Sequence, residues 1–216
     1  MEVGYTTKDL ENWNRKEHFH FFNAFQDPFF SLVSRLDVTE SYHYCKEQGI
    51  NFFVFYLYQT MRVCNTQEAM RLRVVGDEVR AYHRIDASAT VGRADGTFGF
   101  SYMEYKEDWA SFLRHCLEVL EDVRSRNGLN LPPVRPHVLH ISAVPWVDFS
   151  ALTHASPLNR LDSVPKISYG KVVPHGDRLE MAVSVTMHHG LADGYHAGMF
   201  YQEFQRYLSN PILILE

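Results

Sequence analysis

Between Thr186 and Gly198 the chain reads TMHHGLADGYHAG, and His188, His189, Asp193 and His196 are the side chains in it whose types could do chemistry. An imidazole titrates near neutrality and can take a proton from a hydroxyl at ordinary pH. Before the pair, Leu179, Met181, Val183, Val185 and Met187 alternate with Glu180, Ala182, Ser184, Thr186 and His188, the pattern of a strand with one buried face. Successive strand residues point to opposite faces, so the two histidines cannot both face the core, and one looks into whatever cleft lies beyond the strand end. Asp193 stands where a helix N-cap is wanted, answering free backbone donors while the helix dipole favours its charge. A metal centre on His188, His189, His196 and Asp193 is disfavoured, because adjacent strand histidines diverge and the spacing matches no hydrolase signature. No metal is expected, and His188, His196, His18 and His20 are read as structural.

The elements that must position this stretch can be read outward from it. A closing helix from about Gly194 to Leu208 carries Met199, Phe200, Phe204, Tyr207 and Leu208 on one stripe. Strands are predicted over Phe29–Leu36, Met70–Val75, Glu78–Tyr82, Thr97–Tyr102, His137–Ser142 and Lys166–Val173, with a hairpin turn at Gly76-Asp77. Helices are predicted from Asp37 to Gly49, from Asn51 through FFVFYLYQTMRVC, and from Trp109 to Val123. The second of these is apolar nearly all round in its first half, which marks a helix enclosed by its neighbours. The apolar PILIL tail is expected to pair with a sheet edge or another chain. Irregular alternation of helices and strands predicts an α/β (α+β) two-layer sandwich, a mixed β-sheet flanked by helices.

Composition narrows the function classes. With 216 residues, 45% of them hydrophobic, the chain suits one domain over residues 1–216. Lys and Arg number 21 against 26 Asp and Glu, and no segment concentrates the basic residues, so nucleic acid is not an expected partner. Cys45, Cys64 and Cys116 are too widely spaced for a disulfide framework or a zinc site and are read as reduced thiols. No apolar run has signal-peptide or membrane-spanning length, which predicts a cytoplasmic protein with no membrane partner.

The run GDRLEMAVSVTMHHGLADGYHAG, together with GYTTKDLENWNRKEHF near the amino terminus and ISAVPWVDF at Ile141–Phe149, resembles the chloramphenicol acetyltransferase family of HHxxxDG coenzyme A-dependent acyltransferases. HHGLADG matches that signature in full, and the three segments keep the family order over essentially the whole chain. The resemblance implies acetyl-CoA as co-substrate and direct transfer of the acetyl group to an acceptor hydroxyl, without an acyl-enzyme. It implies His189 as general base, Ser142 as hydrogen-bond donor to the tetrahedral oxyanion, and an Asp193–Arg15 ion pair bracing the histidine loop. Ser168, Lys171, Trp146 and Pro145 match coenzyme positions; Phe22, Phe98, His154 and Lys166 match acceptor positions. It further implies a homotrimer with each site between two subunits.

Departures from the family pattern fall where substrates would lie. Ala192 replaces a usual cysteine, Val172 a usual aromatic, and Asn51 a lysine that often helps hold the coenzyme. His154 and Lys166 add basic groups where drug-resistance enzymes are apolar, which points to a more polar or anionic hydroxyl acceptor than chloramphenicol. The rival expectation is a catalytically inactive homologue that binds a ligand or partner without turnover. Intact His189, Ser142, Asp193 and Arg15 favour the enzyme.

Overall fold

A computed structural model describes residues 3–131, 133, 135–155 and 162–215. In chain order the elements are β1 (Tyr5–Thr7), α1 (Lys16–Asn23), β2 (Phe29–Asp37), α2 (Thr39–Gln48), α3 (Phe52–Thr66), α4 (Glu68–Arg71), β3 (Leu72–Val75), β4 (Glu78–Tyr82), β5 (Asp86–Gly92), β6 (Phe98–Phe100), α5 (Trp109–Ser125), β7 (Val138–Ala143), β8 (Lys166–His175), β9 (Arg178–His188) and α6 (Gly194–Ser209). Six strands form one mixed sheet in the order β2-β9-β8-β7-β5-β6, and β1, β4 and β3 form a small second sheet. The β5–β7 and β7–β8 pairs are parallel; β8–β9 and β2–β9 are antiparallel.

The alternation in β9 decides which layer goes where. Met181, Val183, Val185 and Met187 join Leu36, Ile167, Tyr169, Ile141, Leu139, Ala87 and Ala89 in one core with α3, α5 and α6. Helix α3 is enclosed as its composition requires, and burial of each large side chain such as Phe55 or Leu57 contributes about 2 kcal/mol. Asn51 caps this helix, its side chain accepting from Val54 N at 3.2 Å. The two-layer α/β expectation agrees with this architecture. Among the described residues no helix is long and apolar enough to cross a membrane.

Several local expectations need correction. The strand placed at Met70 begins at Leu72, because Glu68–Arg71 closes a helical turn first. Helix α1 and strands β1 and β5 lie outside the predicted elements: β5 reads DASATVG and is buried between two neighbours, so small residues stand where a two-faced strand would alternate. The PILIL tail turns into a 3-10 helix, Pro211–Leu215, that seats Ile214 in the main core rather than pairing with an edge.

Candidate active site

The end of β9 is built by short-range chemistry. His188 pairs with Phe29 of β2, and His189 adds one more rung by donating its N–H to Pro28 O at 2.7 Å. The chain then doubles back, with Leu191 N and Ala192 N both donating to His188 O. Gly190 sits inside that turn, where an added Cβ would come within 3.2 Å of the His188 ring and of the Phe19 backbone. Its N–H donates to His188 Nδ1 at 3.2 Å. Burial lowers the His188 pKa from 6.5 to about 4, so this ring is neutral and structural.

His189 faces the other way, half-buried. Phe22 of α1 stacks on its ring with centroids 3.9 Å apart and planes 4° from parallel, and Phe30 approaches at 4.7 Å. Nδ1 is buried with no partner, so Nε2 is the nitrogen left for an incoming hydroxyl. Arg15, the residue that opens α1, donates from Nη1 to Asp193 Oδ2 at 2.6 Å and from Nη2 to His189 O at 3.4 Å. The expected Arg15–Asp193 brace therefore joins the start of α1 to the histidine loop. Asp193 also caps α6 by accepting from Tyr195 N at 3.0 Å, with His196 Nδ1 2.8 Å from the same oxygen. Burial pushes the Asp193 carboxyl upward, but the Arg15 and His196 hydrogen bonds outweigh it and hold the group well below the usual carboxylate range. The part played by His196 was not legible beforehand, because a histidine three residues after the cap is not the usual capping-box partner.

A second cluster gathers at the end of β7. Ser142 lies in register with Ser168 of β8, which lies in register with Ser184 of β9, so the three serines cross the sheet in one row on the face away from the helices. The turn that follows Ser142 carries Pro145 and Trp146, both exposed, and is tied to β8 by Val144 N→Tyr169 O at 2.8 Å and Lys171 N→Val147 O at 2.9 Å. Gly170 permits this docking, since a Cβ there would meet Val147 O at 3.1 Å. Of the expected coenzyme positions, Pro145, Trp146 and Lys171 are exposed, whereas Ser168 is buried in register with Ser142. His154 bridges Ser168 Oγ, 2.9 Å from Nε2, and Thr186 Oγ1, 3.2 Å from Nδ1. Lys166 lies on the same face, 2.7 Å from Asp162 and over the Phe29 ring at 3.8 Å. Its charge is balanced within the chain, a partner that the spacing of basic residues did not reveal.

The two clusters do not meet within one chain. His189 is five residues past Ser184, about 17 Å along the strand, while Ser142 is two strands, about 10 Å, to the side. Of the expected acceptor residues, Phe22 lies against His189, His154 and Lys166 lie on the serine face, and Phe98 is exposed on the edge strand β6, beyond β5 from Ser142. Among the described residues no group of three His, Cys, Asp or Glu side chains is placed to hold a metal ion.

A family model described as chloramphenicol acetyltransferase matches residues 3–205. The chain belongs to the chloramphenicol acetyltransferase family. Chloramphenicol acetyltransferase 3 of Escherichia coli is 30% identical over 213 residues, covering 97% of this chain and all of that protein. A solved chloramphenicol acetyltransferase structure superposes with a TM-score of 0.89 at 27% identity, covering 95% of this chain and 100% of the other. The same fold recurs in the cubic core of the pyruvate dehydrogenase multienzyme complex, at a TM-score of 0.67 and 16% identity over 93% of this chain and 88% of that one. The chloramphenicol acetyltransferase family thus accounts for the ordered likeness of all three sequence segments, not of the histidine motif alone.

Proposed function

We propose that this chain is an acetyl-CoA-dependent O-acetyltransferase that works by direct transfer, with His189 as general base. The reaction class is that of the family. The observation that carries the residue roles is the His189 ring itself, fixed by Phe22 and Phe30, tethered through its own backbone, and open at Nε2. Nε2 takes the proton of the acceptor hydroxyl as its oxygen attacks the thioester carbonyl. The tetrahedral oxyanion accepts a hydrogen bond from Ser142 Oγ; collapse expels the coenzyme thiolate, and His189 returns the proton to its sulfur. Pro145, Trp146, Ser168 and Lys171 line the coenzyme's approach to Ser142. Relatives named for chloramphenicol make that drug the first acceptor to assay.

The separation of His189 from Ser142 supports a site completed by a second copy, in which one chain supplies the base and its neighbour the serine face. A homotrimer is the assembly proposed. All three cysteines are free and buried, as suits the reducing cytoplasm where acetyl-CoA is made.

The test follows thiol release from acetyl-CoA with acceptor present. Wild type turns over, and His189→Ala and Ser142→Ala each lose nearly all activity. Unfolding the two variants together and refolding them as a mixture restores part of it, because some interfaces then pair an intact His189 with an intact Ser142. A mixture no more active than its parents would rule out the shared site, and turnover unaffected by His189→Ala would rule out the base.

A further inference from the structure

The turn that follows Ser142 lies on a bed of small residues. Gly170 of β8 sits against Ala182 of β9, and Arg35 of β2 is in register with Ala182. A Cβ added at Gly170 would come within 3.1 Å of Val147 O, 3.2 Å of the Phe149 ring and 3.3 Å of Ala182 Cβ, so nothing larger than glycine lets the turn come this close. Beyond Ala182 the turn is clasped by Arg35, whose Nη1 donates to Asp148 Oδ1 at 2.7 Å and whose Nη2 donates to Asp148 Oδ2 at 2.9 Å. Such a two-bond pair fixes the carboxylate in place. Both side chains are partly exposed and solvent screens them, so the pair matters for where it holds Asp148 more than for stability.

A second cation stands beside this carboxylate. Lys171 donates its backbone N–H to Val147 O at 2.9 Å, which sets the exposed Lys171 next to Asp148. The Arg35 hydrogen bonds hold the Asp148 carboxyl below its ordinary range, and the charge of Lys171 lowers it further. Both carboxylate oxygens nevertheless go to Arg35 and neither to Lys171. Glu180 also attracts Arg35, but its carboxylate lies 3.1 Å from His175 and takes no bond from Arg35. Without Arg35, an unanswered Asp148 would draw in the Lys171 ammonium and repel any anion that approached it. With Arg35 in place, Lys171 keeps its charge for an incoming anion, and a lysine ammonium is a ready phosphate binder.

We infer that Arg35 is a positioning residue for the coenzyme: by clasping Asp148 it leaves Lys171 free to meet the phosphates of acetyl-CoA. This inference rests on the acetyltransferase reading and adds to it a residue from a distant strand. In the order β2-β9-β8-β7, Arg35 stands three strands from Ser142, about 14 Å across the sheet, so it acts through Asp148 and not on the reacting atoms.

Calorimetric titration of the full chain with coenzyme A reads the effect without any acceptor. Arg35→Gln weakens binding about fivefold, the size expected of one exposed charge a few ångströms away in water, and the loss shrinks in about 1 M salt. Combining Arg35→Gln with Asp148→Asn restores binding to about the wild-type level, because no carboxylate is left to compete for Lys171. In thiol-release assays Arg35→Gln raises KM for acetyl-CoA by the same factor and leaves kcat and the acceptor KM unchanged. A double variant as weak as Arg35→Gln overturns the inference, since the clasp would then serve only to hold the turn. So does an Arg35→Gln variant that binds as wild type does. Either result leaves the acetyltransferase reading intact, whereas a wild-type chain that binds no coenzyme A strikes that reading and this inference with it.

Discussion

The end of β9 and the end of β7 solve different problems. Around His189 the partners come from three short stretches: the turn residues Gly190 and Asp193 follow directly, α1 brings Arg15 and Phe22 together, and the start of β2 brings Pro28 O and Phe30. Around Ser142 only the Pro145-Trp146 turn is local. Ser168 and Ser184 reach it only through the register of three strands, and His154 arrives from the loop between β7 and β8. The first region holds one ring by stacking beside a loop braced by an ion pair, which suits the proposed base; the second lines up hydroxyls across strands beside Ser142, the proposed oxyanion donor.

The largest effect expected from breaking this division is His189→Ala, with a fall in kcat of about 10⁴-fold, since a positioned base typically contributes up to that much. Steady-state thiol release measures it. Ser142→Ala comes next, with a loss of about 10²–10³-fold in kcat, or ~2.7–4 kcal/mol of barrier, and little change in acceptor KM, because the bond it removes forms at the oxyanion rather than in the ground state. If Ser142→Ala raised KM and left kcat intact, the serine face would serve binding alone, and the contrast between the two regions would fail.

The same contrast explains what the sequence made legible. Asp193 as a cap, His189 beyond an alternating strand and the enclosed α3 all follow from residues within one element, and each agrees with the structure. What escaped notice depends on pairing that the sequence pattern does not display: β5 is built of small residues that only its neighbours bury, and Lys166, which reads as added charge, is paired with Asp162.

A smaller effect separates bracing from chemistry. Asp193→Ala strands Arg15 and removes the α6 cap together. Arg15 is 13% exposed and Asp193 31%, so solvent screens the pair and the expected loss is about 2–3 kcal/mol of unfolding free energy, below the full cost of severing a buried pair. Because the Asp193 carboxyl is held below its unfolded pKa, the pair's contribution is present above about pH 4 and is lost as the pH falls further. Denaturant melts at pH 7 and pH 3 check this: the gap between wild type and variant narrows at the lower pH.

His188 gives the smallest effect and the cleanest sign. It packs edge-on against Phe29 and accepts from Gly190 N–H; Asp162 favours its charged form, while His189 and Lys166 oppose it. Burial dominates and places its pKa at about 4, against 6.5 in the unfolded chain. The unfolded chain therefore binds a proton as the pH drops below 6.5 and the folded one does not until about pH 4, so stability is complete above pH 6.5 and declines between those values. From pH 7 to pH 5 the decline from this one ring is about 2 kcal/mol. His188→Asn keeps an oxygen to accept from Gly190 N–H but cannot titrate, so urea unfolding of the variant loses about 2 kcal/mol less than wild type over that interval. Equal slopes would mean that the ring is not desolvated as its packing implies, and the division between a structural His188 and the proposed base His189 would then need another physical basis.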